Sequence, residues 1–337
     1  MNYRVAINGF GRIGRNYLRC LLDRGLLDQH VDVVAVNDLW PTPTLAHLLV
    51  HDSTFGRLRW DVGCDAVGMT VDGHRIEVTR EPDPTRLHWG DRGIDLVVEA
   101  TGTLPSRDAA EAHLKANAQR VLITAPARDA DATLVMGVNE ASFDPARHRV
   151  VSAASCTTNC LATMAKVLDD DFGVLRGYLT AVHAYTNDQM LLDSAHVDPR
   201  RARSSAVNIV PTSTGAAAAI GEVLPELAGR LTGTALRVPV EDGSVCDLTC
   251  LVSRPVTPTE VNAAFAAAAA GAMTRVLRYT DQPVVSRDVV GDPASCVLDG
   301  LLTQAHGTLV KVFGWYDNEW GYTNRLVDLS LMLAARR

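Results

Sequence analysis

Short apolar runs alternate with segments of helical period through roughly the first half of the chain. Tyr3–Asn8 is an apolar run that ends in glycines, and Arg12–Arg24 then carries Ile13, Tyr17, Leu18, Leu21 and Leu22 at helical spacing. Val31–Val36 is a second apolar run rich in β-branched valine, the composition of a buried strand. Asp95–Glu99, Arg120–Thr124 and Thr133–Gly137 read as further short buried strands, with a helix predicted over Ser106–Asn117. Repeated strand–helix units of this kind predict a parallel sheet covered by helices on both faces. Val67–Arg80 interrupts them by alternating about Asp72-Gly73, which predicts an antiparallel hairpin.

Near residue 150 the pattern changes. Val150-Val151-Ser152 reads as a last strand and Thr157 to Asp170 as a helix. Longer strands follow at Gly177–Ala184, Thr234–Val240 and Val245–Arg254, with a helix at Thr259–Met273. Strict alternation is lost, which predicts an α+β second domain. Thr186–Arg203 is polar, ends in Arg200-Arg201-Ala202-Arg203, and reads as a long functional loop. The expected fold class is therefore α/β: a Rossmann-type dinucleotide-binding domain over 1–155, then an α+β catalytic domain with a mixed or antiparallel sheet over 156–317. A last helix over 318–337 is expected to pack back on the first domain.

Composition adds exclusions. Lys and Arg total 32 against 39 Asp and Glu, a net charge of −7, so no global attraction to nucleic acid or an anionic membrane is expected. The longest apolar stretch, Ala263 to Met273, falls far below the ~20 residues of a membrane span. The start runs straight into a strand pattern without the marks of a secretory leader, and the seven cysteines are scattered and odd in number. Reduced thiols in a cytoplasmic protein are the expectation.

Gly9-Phe10-Gly11-Arg12-Ile13-Gly14 is a G-x-G-x-x-G between a predicted strand and a predicted helix. Its first glycine suits a tight turn, its second lets backbone approach a pyrophosphate, and its third lets helix and strand pack closely. The helix N-terminus, equivalent to about +0.5 charge, then faces the phosphates. Asn37-Asp38 ends the second strand, where a carboxylate accepts hydrogen bonds from both ribose hydroxyls of NAD and repels the 2′-phosphate of NADP. Glycines in such a turn can also be purely structural; strand, helix and Asp38 together favour NAD.

Cys156 stands at the start of the second domain's first helix, where the helix end favours a thiolate. A cysteine packed as a small hydrophobe is the commoner fate, and Cys160 one turn later fits it. A redox or zinc pair of Cys156 and Cys160 has no second Cys/His pair to support it, and no metal site is expected. His183 ends an apolar run, and spacing cannot tell a structural from a catalytic histidine there. From the residues alone the reading stops at a dinucleotide domain followed by a candidate nucleophile and a candidate base.

Five segments carry a resemblance: Asn8 to Arg15, Ala154 to Cys160, His183-Ala184-Tyr185-Thr186-Asn187-Asp188-Gln189, Asn208 to Gly215, and Trp315 to Tyr322. In order and spacing they are similar to signatures of the phosphorylating glyceraldehyde-3-phosphate dehydrogenase family, over nearly the whole chain. The resemblance implies that Cys156 attacks an aldehyde, that His183 serves as its base, and that a thioester forms and is cleaved by inorganic phosphate. It implies cofactor contacts from Asn8, Gly9, Phe10, Gly11, Arg12, Ile13, Asn37, Asp38, Thr101, Gly102, Thr124, Asn318 and Tyr322, with Asn318 holding the nicotinamide amide. Thr186 and Arg237 would bind the substrate phosphate, Ser155, Thr157, Thr214 and Gly215 the attacking phosphate, with Arg201 close to both. The implied cofactor is NAD, with some NADP use, and the implied assembly a homotetramer whose 186–203 loop approaches a neighbour's cofactor site.

Departures from the usual pattern are Thr163 for proline, Ala218 for lysine, Val240-Glu241-Asp242-Gly243 for Thr-Pro-Asn-Val, and Ser194-Ala195 for Leu-Pro. Those beside the cysteine helix suggest a specialised isozyme tolerant of cysteine-directed inhibitors. The rival readings are erythrose-4-phosphate dehydrogenase, which usually differs at Ala184-Tyr185-Thr186-Asn187, and an idle NAD-binding protein touching RNA through Arg200–Arg203.

Overall fold

A computed structural model describes residues 2–127 and 129–336; Met1 and Arg337, the ends of the predicted first domain and last helix, lie outside the described residues. The chain forms two compact units, one of residues 1–134, 141–154 and 323–337 and one of residues 135–140 and 155–322.

The first unit is built on a nine-stranded sheet. Tyr3–Asn8 lies at its centre, parallel to Val31–Asn37 on one side and to Leu96–Glu99 on the other, with Ile7 opposite Val36 and Val98. Val5, Ala6 and Ile7 are fully buried, as strands covered on both faces require. The first crossover leads to one side of this strand and a later one to the other, a switch point where strand ends diverge and leave room for a ligand. The hairpin about Asp72-Gly73 forms, with Gly68–Val71 antiparallel to His74–Thr79. Both turn residues have positive φ, 49° and 79°, the type I′ geometry that an Asp-Gly pair tolerates.

One predicted strand is shorter than expected. Of the 133–137 region only Thr133 joins the sheet, paired with Ala132 before it in a two-residue strand, and Leu134 and Val135 are buried beyond it. Asn139 Oδ1 accepts from Val135 N at 2.7 Å and Gly137 takes φ 79°, so a turn replaces the strand's end. A buried turn and a buried strand share one apolar signature.

The second unit carries an eight-stranded mixed sheet. Val174–Ala184 runs parallel to Leu231–Val238 and antiparallel to Ser244–Val252. The helix Cys156–Phe172 starts on Ser155, whose Oγ accepts from Thr158 N at 2.9 Å, and ends at Gly173 with φ 66°. It lies so close to the sheet that a Cβ on Gly314 would sit 2.5 Å from Met164 Sδ and 2.7 Å from Cys296 Sγ. Residues 186–203 contain no helix or strand. The final helix runs Trp320–Ala335; within the first unit Tyr17 Oη donates to Ser330 Oγ at 2.9 Å, and Arg24 pairs with Asp328 at 2.8 Å. Among the described residues no helix is long and apolar enough to cross a membrane.

Candidate active site

In the first unit a cleft of about 460 Å³ opens at the C-terminal ends of the central strands. Asn8, Gly9, Phe10, Gly11, Asn37, Asp38 and Thr101 line it; Arg12, Ile13, Gly102 and Thr124 do not. Arg12 instead pairs with Asp52 at 3.0 Å. The three glycines divide the work. A Cβ on Gly9 would meet Thr101 N at 2.6 Å, and one on Gly14 would meet the Gly9 carbonyl at 2.2 Å. Gly11 is exposed and a Cβ there would meet nothing within 4 Å. Two glycines thus hold the turn against strand and helix, while the third faces the open space a pyrophosphate needs. Asp38 accepts from Phe10 N at 2.8 Å and Trp40 N at 3.1 Å, which anchors its carboxylate on the rim of the cleft. These residues fit a dinucleotide bound by its phosphates on backbone and its ribose on Asp38.

Beneath the cleft lies a polar network with no obvious mark in the sequence. Glu99, buried, accepts from Asn8 Nδ2 at 2.6 Å and Thr101 N at 2.9 Å, and lies 2.9 Å from His113 Nε2. Trp89 Nε1 donates to His113 Nδ1 at 3.0 Å, so His113 carries its proton on Nε2, facing Glu99. Burial pushes the Glu99 carboxyl up, but its hydrogen bonds, led by that from His113, outweigh burial and hold it below the usual range.

In the second unit Cys156 Sγ and His183 Nε2 stand 3.4 Å apart. Sequence separation hides this: the helix start supplies the thiol, and the end of the strand Val174–Ala184 supplies the imidazole. His183 Nδ1 lies 2.7 Å from the Ala184 carbonyl. Donation there leaves Nε2 as the acceptor toward sulfur, the tautomer a general base needs. The sheet register sets His183 directly opposite Arg237, whose guanidinium packs against the Nδ1 edge of the ring and donates to the same Ala184 carbonyl at 3.1 Å.

Burial and the Arg237 charge push the imidazole down to about 3. Burial pushes the Cys156 thiol up to about 11, against the pull of Arg237 and of Thr157's hydroxyl and N–H. Cys156 keeps part of its surface in water, which offsets some of that burial. Burial thus opposes the thiolate that the helix N-terminus favours, and the 3.4 Å approach gives the thiol proton a direct path to the imidazole. Tyr316 packs edge-on to His183 with centroids 6.1 Å apart, and its hydroxyl meets Thr157 Oγ1 at 2.9 Å.

The residues expected to hold phosphate fall into two groups. Thr186 donates to Asp188, and Arg201 pairs with the same carboxylate at 2.7 Å while donating to Thr212 Oγ1 at 2.8 Å. Arg237 acts electrostatically on Asp188 as well, and its own Nε is buried without a hydrogen-bond partner. Asp188, a residue not singled out from sequence, thus occupies as an internal anion the place where Thr186 and Arg201 converge. In the other group, Ser155 caps the cysteine helix, Thr157 is buried on Tyr316, and Thr214 Oγ1 accepts from Ala216 N at 3.2 Å at the start of the helix Ala216–Val223. Gly215 is exposed there, with open space where a Cβ would stand.

Asn318 is buried, and its Oδ1 accepts from Ser244 Oγ at 2.7 Å; Ser244 in turn accepts from Ala184 N at 3.1 Å. Tyr322 is buried in the same unit. Thr163, where proline is usual, donates its hydroxyl to the Asn159 carbonyl at 2.9 Å inside the helix. No group of three or more His, Cys, Asp or Glu side chains poised for a metal occurs among the described residues.

Comparison with known proteins matches two family descriptions. Residues 3–107 match "Glyceraldehyde 3-phosphate dehydrogenase, NAD binding domain", and residues 155–318 match "Glyceraldehyde 3-phosphate dehydrogenase, C-terminal domain". The chain is 54% identical to glyceraldehyde-3-phosphate dehydrogenase 2 of Streptomyces avermitilis over 334 residues, 99% of each chain. It is 55% identical to the glyceraldehyde-3-phosphate dehydrogenase of Kitasatospora aureofaciens over 333 residues, again 99% of each. To glyceraldehyde-3-phosphate dehydrogenase 1 of Bacillus subtilis it is 51% identical over 337 residues, 100% of this chain and 99% of the other.

Proposed function

The chain belongs to the glyceraldehyde-3-phosphate dehydrogenase family, and on that footing we propose how its own residues carry the reaction. It is an NAD-dependent oxidoreductase of that type, converting D-glyceraldehyde 3-phosphate and inorganic phosphate to 1,3-bisphosphoglycerate in glycolysis. Erythrose-4-phosphate oxidation is not favoured, since the relatives carry the triose-phosphate name.

The observation that carries the residue assignment is the 3.4 Å approach of Cys156 Sγ to His183 Nε2. As the sulfur adds to the aldehyde carbon, the thiol proton passes to Nε2, so the two groups titrate together during attack rather than beforehand. His183 hands that proton to the carbonyl oxygen, which becomes the thiohemiacetal hydroxyl, and, neutral again, takes it back as the hydride leaves. NAD, when bound, supplies the hydride acceptor that turns this adduct into a thioester. Inorganic phosphate attacks the thioester carbon, and the Cys156 sulfur leaves and is reprotonated.

Thr186 and Arg237 take the substrate phosphate, which displaces Asp188 from Thr186; the orphaned Arg237 Nε supports this, because a buried N–H wants an acceptor. Ser155, Thr157, Thr214 and Gly215 take the attacking phosphate, with Arg201 near both. Asn8, Gly9, Phe10, Gly11, Arg12, Ile13, Asn37, Asp38, Thr101, Gly102, Thr124, Asn318 and Tyr322 serve the cofactor, with NAD preferred over NADP. The division is an NAD-binding domain over 1–155, joined by 318–337, and a catalytic domain over 156–317. A homotetramer in the cytoplasm is the proposed form. The exposed apolar side chains Leu191, Leu192, Val197, Val207 and Ile209 support assembly, and the seven free cysteines support a reducing compartment.

The test is NADH absorbance on mixing protein, glyceraldehyde 3-phosphate, NAD and phosphate. The wild type forms NADH in a phosphate-dependent steady state, and Cys156→Ser forms none. NADH formation by Cys156→Ser at the wild-type rate would sink the assignment.

A further inference from the structure

Two buried carboxyl groups meet in the second unit, and the reaction as described uses neither. Asp242 and Asp317 are 2% and 1% exposed. Asp317 accepts three backbone N–H groups, from Gly291 at 2.6 Å, Glu319 at 2.8 Å and Trp320 at 2.6 Å. Asp242 accepts one, from Gly243 at 2.8 Å on Oδ1, while its Oδ2 is buried and no donor among the described residues reaches it. The charges that face Asp242 are Asp317 and Glu319, both anionic, and the adjacent Glu241 is already tied to Arg287 at 2.5 Å. Two buried carboxylates cannot both ionise against each other without a cation between them. The unequal supply of donors decides which one ionises. Asp317, with three N–H partners, keeps the negative charge, and Asp242 Oδ2 is left to carry a proton toward it.

This arrangement is particular to the segment where the chain departs from the usual Thr-Pro-Asn-Val. Asp242 stands where asparagine is common, so a carboxyl group takes the place of an amide beside Asp317. Gly243 follows it with φ 85°, and a Cβ there would come 2.3 Å from the Ser286 carbonyl, so the turn that aims Asp242 inward depends on glycine. Residues on both sides of the pair lead to the reaction site. Asn318 follows Asp317 directly, and Ser244, two residues beyond Asp242, bonds both Asn318 Oδ1 and Ala184 N beside His183.

We propose that Asp242 is a positioning residue: its carboxylic proton, donated to Asp317, clamps the 239–244 loop to the 317–319 turn and so holds the Asn318 amide in register for the cofactor. This rests on the reading of Asn318 as a cofactor anchor. Burial and the two anionic neighbours push the Asp242 carboxyl up to about 9, which puts loss of the clamp in the alkaline range. Its stabilisation of the fold is fully present below the ordinary carboxyl value of 3.8 and is lost progressively as pH rises toward about 9.

The test compares wild type with D242N, whose amide can donate to Asp317 at any pH, with D242A, which cannot, and with N318A. In the cofactor-free protein at neutral pH, infrared difference spectra against D242N show a carboxylic-acid C=O band in the wild type. The melting temperature of D242N rises relative to wild type as pH increases from about 5 and levels off above about 9. NADH affinity, read by fluorescence, weakens about tenfold in the wild type between pH 7 and pH 10, the loss of roughly one hydrogen bond's worth of positioning. D242N changes less than about twofold over that range, and D242A is weak at both ends. Absence of the infrared band, or a melting difference independent of pH, would overturn the shared proton. Equal pH dependence of NADH affinity in wild type and D242N would overturn the positioning role. N318A binding NADH as tightly as wild type would instead overturn the reading of Asn318, and the positioning role with it, while the infrared and melting results still judge the proton.

Discussion

In the first unit the groups proposed to face the cofactor are mostly backbone: one turn, Gly9 to Gly11, opens the helix Arg12–Asp23, with a single carboxylate, Asp38, tied to it by Phe10 N. In the second unit they are side chains drawn from three elements, Cys156 from a helix start, His183 from one strand and Arg237 from the strand beside it. The first arrangement needs space and correct φ values, and no group in it has to change protonation. The second depends on burial, which sets its thiol and imidazole at about 11 and about 3. A binding turn therefore tolerates little at the Cβ level, and a proton-transfer pair tolerates little in its electrostatics.

The largest effect that sharpens this contrast is removal of the nucleophile. Cys156→Ser is expected to lower kcat by about 10⁴-fold or more, since no other group supplies the covalent step. His183→Asn follows, with a loss of about 10²–10⁴ in kcat and little change in the KM for NAD. The same variant changes stability against pH. His183 stays neutral in the folded chain down to about 3 against 6.5 in the open chain, so the stability it contributes is present above 6.5 and drains away as pH falls toward 3. In thermal melts, His183→Asn should flatten that acid limb; an unchanged limb would mean the imidazole is not buried neutral.

The glycines give the next largest difference, and it is one of kind. Gly9→Ala places a methyl 2.6 Å from Thr101 N at φ 90° and should cost about 1–3 kcal/mol of stability in denaturant melts. Gly11→Ala meets nothing in the protein, so it should leave the melt within about 0.5 kcal/mol while raising the KM for NAD. Equal loss of stability in both would break the division of labour between them. Asp38→Asn should raise the ratio of NADP to NAD kcat/KM by about tenfold, the scale of one charge-assisted hydrogen bond and one removed repulsion. Comparable kcat/KM for both cofactors in the wild type would overturn the NAD preference.

The smallest effect concerns the resting thiol. With Cys156 pushed up to about 11, iodoacetamide should alkylate the cofactor-free protein faster by up to about tenfold per pH unit between 7 and 9. A plateau already reached at pH 6 would point to a preformed thiolate–imidazolium pair. Epoxide alkylation as fast as in the Bacillus subtilis relative would count against an inhibitor-tolerant isozyme.

What could be read in advance follows the range of the forces involved. The strands Tyr3–Asn8 and Val31–Asn37, the Asp-Gly hairpin and the glycine turn were legible because each rests on contiguous residues whose period or φ requirement is local. The 133–137 region reads as a strand and forms mostly a turn, because a buried turn is as apolar as a buried strand.

The sequence by itself determined the βα order, the glycine turn, the place of Cys156 at a helix start and, through its segment signatures, the family. Only tertiary structure decided that His183 meets Cys156, that Asp188 holds Thr186 and Arg201, and that burial pushes the Cys156 thiol up. It also decided that Asp242 faces Asp317. Burial and through-space charge have no fixed spacing along a chain; they exist only once distant segments have been packed against one another.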